Sequence, residues 1–166
     1  MRIHLLALGA AAALFTTAAA TAHGNHPVTP APAADPTAPD PTGDVIAGRQ
    51  AAFLLSGALS SQIKAGIDRG DDPKTLSFAA RSLAAWAKAI PGMFPAGSTA
   101  ANSDALPAIW SNRADFEAKA ADYAAAAAKL AELAKAGDKP GFAAQFAVVG
   151  GTCKACHDAY RKPQSH

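Results

Sequence analysis

The chain has 166 residues, half of them hydrophobic and only 17% charged, with a formal net charge of +2. That length suffices for one domain with a real core, and so small a charge, with no basic stripe and no nucleic-acid-binding motif, excludes an electrostatic binder of nucleic acid or of a membrane surface. Much of the apolar fraction is alanine, the best helix former, so composition points to an all-α fold.

The chain opens MRIHLLALGAAAALFTTAAATA. Arg2 lies in a short basic region, an apolar run extends from Leu5 to Phe15, and Ala20-Thr21-Ala22 has the small-x-small pattern of a cleavage site. Residues 1–22 therefore read as a secretory signal peptide. The run is shorter than the ~20 residues of a membrane span, and no cysteine near the cleavage site offers a lipid anchor. No later segment is long and apolar enough to span. The expected product starts near His23, is soluble and leaves the membrane, and resides in the periplasm, an oxidising compartment. Residues 23–43, rich in proline and alanine, read as a flexible leader; its His23 and His26 read as solvated linker residues.

Four helical stretches follow. The first is expected from an N-cap at Asp44 to about Gly66, with Ile46, Phe53 and Ser60 on one heptad line and Leu55, Leu59 and Ile63 beside it. The second opens at Asp72-Pro73, a cap and a first-turn proline, carries Leu76, Leu83 and Ile90, and ends at Pro91-Gly92. A loop covers about 91–109. The third runs from near Ser111 to Ala136 with Gly137 after it; its stripe is Phe116, Ala120, Tyr123, Ala127, Leu130 and Ala134. The fourth runs from near Asp138 to about Arg161, with Phe142, Phe146, Val149, Cys153, Cys156 and Tyr160 in line. Steps of three and four are the seam of a bundle, and no segment alternates with period two. Short connections make consecutive helices antiparallel, which predicts an up-down-up-down four-helix bundle over residues 44–166. Alanines on the third helix let it approach its neighbours closely and leave room inside for something large.

The only cysteines, Cys153 and Cys156, precede His157 near the C-terminus. A disulfide across so short a helical loop gains little. A redox dithiol opens a helix after a strand, where the helix N-terminus lowers the thiol pKa, whereas this pair closes the last helix. Zinc wants about four N or S ligands, and the sequence supplies three close together. Cys-x-x-Cys-His is the attachment signature of c-type haem, and that reading uses every residue: two thioethers to the vinyl groups, both on the porphyrin side of one helix, and His157 as the axial iron ligand. One covalent haem c is the expected cofactor.

With these residues in place the chain resembles the cytochromes c′, the class II c-type cytochromes, from about Asp44 to Lys162. The resemblance rests on GRQAAF at 48–53, FPAGS at 94–98, PAIWSNRADFEAKAADY at 107–123 and FAVVGGTCKACHDAYRK at 146–162. It implies a left-handed bundle with the haem between helices, and commonly a homodimer. It also implies that Arg49 and Gln50 contact the haem propionates, that Phe53 lies over the open iron face, and that Arg161 stands on the proximal side of His157. Where close relatives often carry Met, this chain has Ser56.

Six-coordinate relatives place a methionine on the first helix. Here the only methionines are Met1 and Met93, so the iron is expected to be five-coordinate. A ring at position 53 excludes water and crowds that face while admitting NO and CO. No distal hydrogen-bond donor is evident, and Trp86 and Trp110 read as packing residues. The sequence shows neither a general acid or base nor a substrate pocket, so the expected function is gas binding without enzymatic turnover: sequestering or carrying NO. The alternative is one-electron transfer with periplasmic redox proteins.

Overall fold

The structure is a computed structural model that describes residues 40–163. The expected signal peptide, nearly all of the expected leader and His166 lie outside the described residues. Helix α1 spans Pro41–Arg69, α2 Ser77–Ala89, the single-turn α3 Ala108–Ser111, α4 Arg113–Ala136 and α5 Lys139–Tyr160. The four long ones form the expected up-down-up-down bundle. Among the described residues there is no strand, only an isolated antiparallel bridge between Ala105 and Arg161. No described helix is long and apolar enough to cross a membrane.

Boundaries follow local chemistry. The first helix starts at Pro41, ahead of the expected Asp44. Asp40 is its N-cap, accepting from the Thr42 N–H at 3.0 Å, and the first-turn proline gives up no hydrogen bond. It also runs past Gly66 to Arg69, where Gly70 at φ 73° closes it. Gly66 is not a cap: a Cβ there would meet Leu76 Cδ1 at 2.6 Å, so this glycine lets two segments approach. Asp72-Pro73 opens a 3-10 turn, Pro73–Leu76, before the α-helical path begins at Ser77, and a second such turn, Ile90–Met93, follows α2. Gly137 at φ 77° ends α4, and Asp138 caps α5 by accepting from the Gly141 N–H at 3.0 Å.

The connectivity gives the bundle two unlike ends. Where α1 meets α2 and α4 meets α5, the core is continuous: Ile63, Ala79, Ala80, Leu83, Ala127, Leu130, Ala134 and Phe142 are all fully buried. Helix α4 sits between α2 and α5 and packs on both; α1 packs on α2 and barely touches α5. Every residue of the predicted α4 stripe is buried. Helix α1 differs. Its buried residues, Ile46, Arg49, Ile63 and Gly66, lie towards its two ends, and Leu55, expected beside the heptad line, is 65% exposed. The middle of α1 faces a gap, and the gap is the site.

Candidate functional site

Cys153, Cys156 and His157 lie near the end of α5, and their spacing of three and four puts them on one side of the helix. All three line one cavity of about 630 Å³. Helix α1 contributes Arg49, Gln50, Phe53, Ser56, Gly57 and Ser60 to its walls, and α4 contributes Phe116, Lys119, Ala120 and Tyr123. Gly57 and Gly150 also line it, and a Cβ at either would find no heavy atom within 4 Å. A glycine inside a helix costs about 1 kcal/mol relative to alanine, so the helices give up stability to keep these walls low.

The chemistry of the three residues sorts the readings of the motif. No disulfide joins the two cysteines. Burial pushes the Cys153 thiol up; burial and the neighbouring Cys153 do the same to Cys156, with Lys119 opposing. A nucleophilic dithiol needs the opposite shift. Burial, and then the Arg161 cation, hold His157 below its ordinary value, so its imidazole is neutral at pH 7, the form that binds a metal. Among the described residues no group of three His, Cys, Asp or Glu side chains is placed to hold a bare ion. A largely apolar cavity walled by two thiols and a neutral imidazole fits a covalently attached haem.

The residues carried over by resemblance are all at the cavity. Arg49 is 2% exposed, so it is no part of a solvated helix face. Its guanidinium donates to Ser98 Oγ at 2.8 Å, Ser98 O at 2.7 Å, Ser103 Oγ at 3.2 Å and Met93 O at 3.3 Å, and lies 4.5 Å over the Phe94 ring. These acceptors are neutral oxygens, and burial lowers its pKa. Gln50 donates to Asn102 O at 3.1 Å. Together they hold the 93–103 loop over this end of the bundle. Phe53 stands edge-on to Trp86, centroids 5.0 Å apart, and 6.3 Å from Phe94. Arg161 is exposed, and its backbone N–H donates to His157 O at 3.1 Å.

Sequence reasoning missed other residues. Ser98, Ser103 and Phe94 hold Arg49, and only a fold brings a loop 44 to 54 residues away onto one guanidinium. Lys119 lines the cavity beside Asp115, 3.7 Å away, which in turn accepts from the Tyr160 hydroxyl at 2.6 Å. Trp110 packs as expected, its Nε1–H donating to Pro95 O at 2.9 Å. Trp86 lines the cavity, and its Nε1 is the one buried side-chain nitrogen or oxygen among the described residues with no partner. Met93 is not a cavity wall: its Cε lies 3.7 Å from where a Cβ on Gly48 would stand.

Comparisons with known proteins agree with this geometry. A cytochrome c-556 of Agrobacterium tumefaciens (strain B2A) is 40% identical over 111 residues, 64% of this chain and 87% of that protein. A nitric oxide complex of a leucine-substituted variant of cytochrome c prime from Alcaligenes xylosoxidans aligns with TM-score 0.68 and 30% identity, covering 74% of this chain and 97% of that one. A cytochrome c′ described by its ligand-controlled dimer dissociation aligns with TM-score 0.70 and 27% identity, covering 76% of this chain and all of the other. A family model described as Cytochrome C' matches residues 44–161. The chain belongs to the cytochrome c′ family, whose members carry one covalently bound haem c.

Proposed function

We propose that this chain is an exported, periplasmic haem protein that binds NO and CO and serves to sequester or carry NO. Cys153 and Cys156 would hold the haem as thioethers, and His157 would be its one protein ligand to iron. Arg49 and Gln50 face the propionates. The acceptors of Arg49 at Met93, Ser98 and Ser103 are neutral, which supports that assignment, because a carboxylate beside a buried guanidinium offsets the cost of its burial. Phe53 covers the ligand side, and burial, with the Arg161 cation second to it, keeps His157 neutral. A bound haem would supply an iron able to take a small ligand; the chain supplies a largely apolar chamber around it.

One observation carries the reading. The α1 wall of the cavity, from Arg49 to Ser60, holds no methionine, histidine or lysine, and Met93 lies outside the lining. The proposed role is binding rather than turnover. We further propose a homodimer using α1, where Leu54 is 78% and Leu55 65% exposed; a similar structure is described by its dimer.

The test is the optical spectrum of the purified mature protein, ferric, then reduced, then with CO or NO. A high-spin spectrum that changes with either gas is the expected result. A low-spin spectrum indifferent to both overturns it and leaves one-electron transfer with periplasmic redox proteins as the function.

A further inference from the structure

We propose that the indole N–H of Trp86 is a hydrogen-bond donor reserved for a polar diatomic ligand that enters the cavity beside Phe53. The inference rests on the gas-binding reading and deepens it, since it names the residue that tells one gas from another.

Buried donors are almost always paired, and an exception calls for a reason. Trp110 meets the rule through Pro95 O, at 2.9 Å. Trp86 does not: its Nε1 is buried, and no oxygen or nitrogen lies within reach. Packing alone does not explain an indole here. Phe or Leu fills an apolar site without stranding a donor, and Trp86 packs on the apolar core beside Phe53, in a cavity that Ile90 and Phe94 also line. The ring packed on it is Phe53, 5.0 Å away and perpendicular to it.

Phe53 also stands on the α1 wall, where it must shift for a ligand to enter. The neighbouring wall is low: Ser56 donates back to Phe53 O at 2.8 Å, and Gly57 has no side chain. A shift of the Phe53 ring therefore makes room for the ligand and uncovers the Trp86 N–H in the same movement. A ligand whose outer atom carries negative charge, as bound NO does more than CO, gains a hydrogen bond there. With Phe53 in place the buried indole nitrogen offers no such donor to water.

The experiment is vibrational spectroscopy of the reduced full-length holoprotein with NO, in H₂O and in D₂O, together with the NO dissociation rate. In the native protein the N–O stretch is expected to shift in D₂O. In Trp86→Phe the stretch moves up, loses its D₂O sensitivity, and NO leaves about three- to tenfold faster, the factor that one neutral hydrogen bond supplies. Phe53→Ala uncovers the donor without touching it, and there the D₂O shift should grow and NO dissociation slow. These two proteins decide the matter even if Trp86→Phe does not fold. NO that binds with a stretch indifferent to D₂O in both the native protein and Phe53→Ala overturns this inference alone. A reduced protein that takes up no NO overturns the gas-binding reading with it.

Discussion

A guanidinium that is 2% exposed must place its N–H groups on acceptors, and Arg49 finds them along one loop, at Met93, Ser98 and Ser103. Lysine cannot reproduce a planar fork that serves four acceptors and stacks on Phe94. Arg49→Lys is therefore expected to cost about 2–3 kcal/mol in urea unfolding, because hydrogen bonds to a charged group are the stronger kind and the stranded oxygens stay buried. Tyr160 gives a residue-scale prediction in pH. Burial, and next the hydrogen bond to Asp115, push its hydroxyl up to about 12, while the unfolded chain releases that proton near 10. Between those values the folded state holds the extra proton. Stability is then complete below pH 10 and falls as pH rises towards 12. Alkaline unfolding of Tyr160→Phe should show a shallower loss than the native protein over that window. Equal slopes would show that the Tyr160 proton is not held.

Among the elements, α1 and α5 carry the cavity, and their glycines offer the sharpest test of what it is for. Gly150 lines the cavity on α5 with no heavy atom near its missing Cβ. Gly150→Leu should raise the stability of cofactor-free protein by about 1 kcal/mol through helix propensity, and should lower haem incorporation if the ring occupies this cavity as proposed, because the side chain would add bulk to its wall. Opposite signs in melting temperature without cofactor and in haem per chain are the expected pair of results; a fall in both means that Gly150 is needed for the fold itself. Helices α4 and α5 were legible in the sequence because their signals are local: a seam every three or four residues, Gly137 after one, Asp138 before the other. The motif residues were legible for the same reason. The limits of α1 were not. A proline-rich leader masks a proper Asp40-Pro41 start, and Gly66 resembles a cap until its approach to Leu76 is seen. The Arg49 cage and the partnerless Trp86 nitrogen depend on contacts across dozens of residues, which no periodicity records.

For the whole molecule, the question is how the cavity and the outer surface of α1 communicate. Phe53 is followed at once by Leu54 and Leu55, 78% and 65% exposed. Leu54 touches the cavity rim as well. A ligand that displaces Phe53 therefore disturbs the stretch of helix that holds the exposed leucines, and if the dimer forms there, gas binding and association share one free energy. Such coupling is reciprocal: a ligand that weakens the dimer binds the monomer more tightly by the same factor, commonly about 5- to 150-fold. Sedimentation of the reduced holoprotein should show the dimer weakening when CO is added, and CO affinity should fall as protein concentration rises. Leu55→Lys places a charge in that contact and should be monomeric at every CO level, with the CO affinity of the dilute native protein and no dependence on concentration. A Leu55→Lys protein that still dimerises places the interface elsewhere. A native dimer indifferent to CO shows instead that Phe53 moves without carrying α1 with it.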